Sequence, residues 1–85
     1  MHEGAVCVEI MDIVTRAAAE NGLAKVWEIT VTVGAYSCVN ERQLNIFFRA
    51  ARPGTCMAEA VIRVERDESL TGASQLYVKS IRGDP

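Results

Sequence analysis

The sequence predicts an α+β fold, with elements in the order α-β-α-β-β and a three-stranded sheet that has two helices packed on one face. Two segments repeat apolar residues at the three- and four-residue spacing of an amphipathic helix. Three others have strand character, the first of them with clean alternation of apolar and polar residues. With 85 residues, of which 49% are hydrophobic, the chain can form one domain, residues 1–85, around one core.

The first helix is predicted from Val6 to about Glu20, with its start near Glu3. Asn21-Gly22 should end it, because glycine accepts the left-handed conformation that closes a helix. The apolar stripe consists of Val6, Ile10, Ile13, Val14 and Ala17, and is widened by Cys7, Met11 and Ala18.

Residues 25–33 predict a strand with one buried face. The side chains expected on that face are Trp27, Ile29, Val31 and Val33, and those on the other are Glu28, Thr30 and Thr32. After a loop, Asn40 begins a capping box and a second helix, which Pro53-Gly54 ends. The residues this helix should present to the core are Leu44, Phe47, Phe48 and Ala51.

Two further strands are predicted at about 58–66 and 75–82. The second strand of the sheet should bury Ala60, Ile62 and Val64 on one face. The segment between the two strands is polar, contains glycine and is longer than a tight hairpin.

Charge and hydropathy exclude several classes of protein. The net charge is −2 and the nine Lys and Arg residues are scattered, which argues against nucleic-acid binding through phosphate contacts. The chain has neither an apolar run of membrane-spanning length nor a secretory leader. We therefore expect a cytoplasmic protein without a membrane partner.

The cysteines and the single histidine limit the possible chemistry. Cys7, Cys38 and Cys56 are widely spaced and form no Cys-x-x-Cys pair, so no structural zinc is expected. Each cysteine is expected to behave as a small hydrophobe. His2 alone could serve as an imidazole base, and with no convincing base–nucleophile pair we expect no enzyme activity.

The terminus Met1-His2-Glu3 brings together a terminal amine, an imidazole and two backbone amides. Nitrogen donors of this kind suit Ni(II), Cu(II) or Zn(II). Chain termini are more often disordered and without function, and the three residues alone do not decide between these alternatives.

The chain resembles the HypA/HybF nickel metallochaperones over nearly its whole length. The resemblance is carried by Met1-His2-Glu3, Gly34-x-x-Ser37-x-Val39, the helix with Leu44 and Phe47-Phe48, Gly54-Thr55, and the final strand Leu76–Ile81. It implies nickel capture at the terminus and delivery to a nickel-iron hydrogenase, or to urease in some organisms. A HypB-like GTPase and the hydrogenase large subunit are the implied partners. Met1 would supply its amine, His2 its imidazole and backbone nitrogen, and Glu3 its backbone nitrogen and a carboxylate that assists loading or partner contact.

The sequence also departs from this family. HypA-like proteins carry a zinc module with two Cys-x-x-Cys pairs between their last two strands, and here a short loop at about 67–75 occupies that place. Natural reduction and engineered deletion both remain open. Cys38 stands where the family usually has glycine.

Covalent geometry limits the metal site that Met1-His2-Glu3 can form. The His2 amide nitrogen forms small chelate rings with the Met1 amine, the Glu3 amide and its own imidazole, yet a square plane offers it only two adjacent positions. The site is therefore non-planar, or it takes a donor from water, a carboxylate, a cysteine or a partner. The alternative function is a HypA-derived interaction or assembly module that no longer handles metal, with homodimerisation through an open sheet edge as a further possibility.

Overall fold

The longest strand lies in the middle of the sheet. In a computed structural model that describes residues 3–85, the elements are α1 (Glu3–Glu20), β1 (Lys25–Gly34), α2 (Glu41–Ala51), β2 (Val61–Asp67) and β3 (Leu76–Asp84). Strand β1 pairs in parallel with β2 on one side and antiparallel with β3 on the other. The predicted order of elements and the α+β class are confirmed, and the sheet is mixed.

Helix α1 packs on the sheet through one narrow row of side chains. The buried residues are Val6, Cys7, Ile10, Val14 and Ala18, most of which follow each other at four-residue spacing. The prediction was wrong for Ile13, which is 42% exposed. It precedes Val14 by one position, and one residue turns a helix by about 100°, away from this row. The helix ends where predicted, with Gly22 at φ 67°.

Strand β1 contains a β-bulge that moves its tryptophan out of the core. Val26 is buried, whereas Trp27, predicted on the core face, is 39% exposed. Trp27 has no Cα partner on β3, because the register shifts between Val26 and Glu28. A bulge adds one residue to one strand, so the alternation of core-facing and solvent-facing side chains is reversed for the residues before the bulge. The Trp27 Nε1–H donates instead to Asp84 Oδ2 at 2.7 Å.

Helix α2 begins at the predicted cap, where Asn40 Oδ1 accepts a hydrogen bond from the Gln43 N–H at 3.0 Å. Its buried face is narrower than predicted, because only Leu44 and Phe48, one turn apart, are fully buried. Ala51 is exposed, and Phe47 is 46% exposed because it precedes the buried Phe48 by one position, which turns it by about 100° from the buried row. Those two core predictions were wrong.

Both helices lie on the same face of the sheet. They contact each other, α1 also contacts β1 and β3, and α2 contacts β2, around one continuous hydrophobic core. The other face is polar and carries ion pairs between neighbouring strands, such as Arg63–Glu28 at 3.5 Å and Lys79–Glu65 at 2.9 Å. Within residues 3–85, neither helix combines the length and apolar character needed to cross a membrane.

Side chains from α2 and its C-terminus cover the outer edge of β2. Asn45 donates to the Ile62 carbonyl at 2.8 Å and accepts from the Ile62 N–H at 3.0 Å. Glu41 Oε1 accepts from the Val64 N–H at 2.7 Å, and Arg52 donates to the Ala60 carbonyl. These contacts satisfy backbone groups that an edge strand would otherwise offer to another chain.

Candidate metal centre

Of the three residues predicted to bind metal, the structure describes one. Glu3 is the first residue of α1 and is half-buried, while Met1 and His2 lie outside the described residues. The ligand set Met1, His2 and Glu3 therefore stays a prediction.

The backbone at the start of α1 is chemically suited to the predicted role. Since α1 begins at Glu3, the N–H groups of Glu3, Gly4 and Ala5 have no acceptor within the helix. The Glu3 carboxylate lies in the first turn, where the helix dipole favours negative charge. A Cβ added at Gly4 would be 3.5 Å from the Phe47 ring, so α2 supports this end of α1.

Cys7, the cysteine nearest the terminus in sequence, is a core residue. Its side chain is 1% exposed, and its thiol lies 3.9 Å from the Met11 sulfur. Burial raises the pKa of the Cys7 thiol, and a metal ligand must be the thiolate. Cys7 is therefore poorly suited to complete a nickel site. Cys56 is half-buried, whereas Cys38 is exposed, so the expectation that each cysteine packs as a small hydrophobe was wrong for Cys38.

The rest of the described chain offers no alternative cluster of side-chain ligands. Among residues 3–85, no three His, Cys, Asp or Glu side chains group together in a way that could hold a metal ion. The described acidic residues lie mainly at the surface or in ion pairs across the open face of the sheet.

The Gly34-x-x-Ser37-x-Val39 pattern has a structural role in the described chain. A Cβ at Gly34 would lie 2.8 Å from the backbone oxygens of Leu70 and Gly72, so only glycine allows this close approach. Ser37 Oγ accepts from the Val39 N–H at 3.1 Å, and the Val39 side chain is buried. The pattern positions the loop after β1.

Sequence reasoning missed the residue that holds this loop from the other side. Arg66, near the end of β2, donates from Nη1 to the carbonyl oxygens of Gly34, Ala35 and Ser37, at 2.9, 3.1 and 3.1 Å. No local motif marks Arg66, because its partners are about thirty positions away in sequence.

The connection between β2 and β3 is an ordered polar turn without cysteine. Asp67 Oδ1 accepts from the N–H and hydroxyl of Ser69, which lowers the pKa of the Asp67 carboxyl. Leu70 accepts from the Ala35 N–H at 2.7 Å, which ties the connection to the loop after β1. That this segment replaces a zinc module stays a prediction.

The amino-acid sequence of the chain matches a family of metallochaperones. The family model described as "HypA: Hydrogenase/urease nickel incorporation, metallochaperone, hypA" matches residues 1–81. The chain belongs to this family, whose members act as metallochaperones and maturation factors and are not classed as enzymes.

Relatives and a solved structure agree with this assignment. The hydrogenase maturation factor HybF of Salmonella typhimurium strain LT2 is 36% identical over 55 residues, which cover 65% of this chain and 49% of the relative. The hydrogenase maturation factor HypA of Deinococcus radiodurans is 33% identical over 66 residues, which cover 78% of this chain and 55% of the relative. The chain thus spans about half the length of these curated relatives.

The solution structure of the Ni metallochaperone HypA from Helicobacter pylori has the same fold. It superposes with a TM-score of 0.80 at 14% identity, over 99% of this chain and 98% of that one. At this identity the likeness concerns the fold, and it confirms the α+β architecture predicted from the sequence.

Proposed function

We propose that this chain is a nickel-binding metallochaperone that captures Ni(II) with Met1, His2 and Glu3 and passes it to a nickel enzyme such as a hydrogenase. The observation that carries the proposal is the extent of the family match, which begins at residue 1 and so includes these three residues. The start of α1 at Glu3 adds support, because it leaves backbone amides there without helical acceptors. A cytoplasmic location belongs to the proposal, since the unpaired cysteines of residues 3–85 suit a reducing compartment.

The donor chemistry makes nickel binding depend on protons and on a free terminus. An amide nitrogen binds Ni(II) only after losing its proton, and the Met1 amine and the His2 imidazole must also be neutral. Affinity for nickel therefore rises with pH, and acetylation of Met1 removes the amine as a donor. Because the His2 amide cannot adjoin three donors in one square plane, the site is either non-planar or completed by an outside donor, which is water, a carboxylate, a cysteine or a partner.

Nickel titration of the untagged chain tests this proposal. We expect the wild type to bind one Ni(II) per chain. In His2→Ala the nickel affinity should fall at least about tenfold, since loss of groups that only support the metal ligands already has an effect of that size. The matched control is Glu9→Ala, which removes an exposed carboxylate farther along α1 and leaves the terminus intact. Equal nickel affinity in the wild type and His2→Ala would refute the proposal.

The proposed partners are a HypB-like GTPase and a hydrogenase large subunit, in keeping with the maturation factors among the relatives. Resident zinc is not part of the proposal, because the β2–β3 connection contains no cysteine.

A second function is favoured by the length of the chain relative to its relatives. Since it spans about half of the curated maturation factors, it could retain their scaffold as an assembly module that no longer handles metal. That function predicts no specific Ni(II) binding near neutral pH but a stable complex with the large subunit or GTPase, or a homodimer. Nickel titration and co-purification on the same sample separate the two functions.

A further inference from the structure

A cleft of about 420 Å³ runs between the outward side of α2 and the first residues of β2. Three arginines line it: Arg42 and Arg49 from α2 and Arg63 from β2. Two partly exposed aliphatic side chains lie among them, Ile46 at 53% and Val61 at 37% exposure. A basic rim around aliphatic surface is thus concentrated at one place on a chain whose net charge is −2.

The positive charge of this cleft is only partly neutralised from within the chain. Among residues 3–85, no carboxylate lies within ion-pairing distance of Arg42 or Arg49, while Arg63 reaches Glu28 at 3.5 Å. The acidic residue that lines the cleft, Glu41, keeps its negative charge while it accepts from the Val64 N–H, and together with Glu28 it offsets two of the three arginine charges. The cleft therefore retains a positive charge for a ligand.

The position of Arg42 is not explained by the stability of α2. It is the second residue of the helix, where the positive end of the helix dipole disfavours a cation. Arg49 lies in the last turn, where the dipole favours it, so its position has a structural reason as well.

A ligand in this cleft must be recognised through side chains. The Asn45 side chain hydrogen-bonds both outward backbone groups of Ile62, and the Glu41 carboxylate accepts from the next outward N–H, that of Val64. An added strand would therefore find no free backbone groups to pair with at this part of β2. A ligand that fits this cleft therefore carries negative charges that can pair with the arginines, and an apolar group that can pack against Ile46 and Val61. A nucleic acid fits less well, because bases stack on aromatic side chains and these two are aliphatic.

We propose that this cleft is a docking site for an acidic segment of a partner protein, in which two carboxylates flank an apolar side chain. Arg42 and Arg49 are seven residues apart on a helix, which separates them by about 10 Å along its axis. An extended peptide covers that distance in about three residues. The segment therefore carries acidic residues about three positions apart, and its binding is independent of nickel.

Fluorescence anisotropy with the full chain tests the proposal. The probe is a fluorescein-labelled ten-residue peptide in which two glutamates, three positions apart, flank a leucine, and the control peptide carries glutamine at both positions. We expect Arg42→Glu with Arg49→Glu to weaken binding at least about tenfold. The control pair, Arg16→Glu with Lys25→Glu, makes the same charge change at exposed positions outside the cleft and should weaken binding less than about threefold. Added salt should weaken binding of the wild type.

Three results would overturn the proposal. The first is no saturable binding of the acidic peptide below about 1 mM, the weak limit of specific recognition. The second is an equal loss of affinity in the two charge-reversal pairs. The third is tighter binding of polyuridylate with the same dependence on the arginines, which would make the cleft a polyanion site. Circular dichroism checks that the variants fold. The single variant Arg42→Glu repeats the binding test with a change that does not weaken α2, because an acidic residue is favourable in the first turn of a helix.

Discussion

At the scale of single residues, Thr32 is the buried polar residue of the described chain that lacks a hydrogen bond. It lies on β1 and is 4% exposed, and its hydroxyl has no partner among residues 3–85. It pairs with Glu65 on β2 and Tyr77 on β3, whose positions flank it on the polar face of the sheet. Removing a hydroxyl from water without giving it a new hydrogen bond destabilises the folded state.

We therefore expect Thr32→Val to raise the free energy of unfolding by about 1 kcal/mol, since valine has a similar shape and suits a strand. Thr30→Val, two positions earlier on the same face and only half-buried, is the matched control and should change stability less. Urea unfolding of both variants measures the difference. A loss of stability in Thr32→Val would mean that an ordered water satisfies the hydroxyl.

Residue-level prediction from sequence succeeded where a position depends on its near neighbours in the chain. Asn40 was predicted as a cap and acts as one, because the contact spans three positions. Trp27 was misplaced because a bulge against β3 sets its orientation, and the paired strand lies more than fifty positions away. The predicted metal ligands Met1 and His2 lie outside the described residues, so that part of the candidate site remains a prediction.

At the scale of elements, α2 protects the sheet as well as covering it. One row of its side chains, Leu44 and Phe48, enters the core, and the adjacent Glu41 and Asn45 bind the backbone of β2. The binary pattern of apolar and polar residues predicted the helix but not this second role. Asn45 is a polar residue next to the buried row, and its partner on β2 is seventeen positions away.

We expect Asn45→Ala to lower the free energy of unfolding by about 2 kcal/mol, because it removes both hydrogen bonds to the Ile62 backbone. The exposed edge should also promote self-association. Gln43→Ala, at an exposed position of the same helix, is the control and should be nearly neutral. Thermal unfolding and sedimentation measure the two effects, and unchanged values for both in Asn45→Ala would contradict this role.

At the scale of the whole molecule, the loop after β1 and the β2–β3 connection hold each other in place. Gly34 allows their backbones to approach, and Arg66 binds the loop from the end of β2. Gly34 and Ser37 were noted in the sequence as features shared with a family. The need for glycine at position 34 follows only from the three-dimensional structure, which places Leu70 and Gly72 of the β2–β3 connection against it.

We expect Gly34→Ala to lower the free energy of unfolding by about 1–3 kcal/mol, because the added Cβ meets two backbone oxygens that cannot move independently. Gly4→Ala provides the opposite control. Its Cβ would make an ordinary contact with Phe47, and alanine favours the helix, so a gain of up to about 1 kcal/mol is expected. Denaturant unfolding of the two variants checks the sign, and a neutral Gly34→Ala would show that the connection yields readily.

The central position of β1 has a consequence for how this fold can change over evolutionary time. Strands β2 and β3 each take their register from β1 and never pair with each other. No hairpin geometry therefore dictates the length of the segment that joins them. The loop-closure entropy lost when such a segment is lengthened is only about 0.6 kcal/mol for each doubling, as long as the contacts of Leu70 with the loop after β1 are kept. A whole domain could be gained or lost between β2 and β3 in one genetic event, while every strand of the sheet keeps its partner.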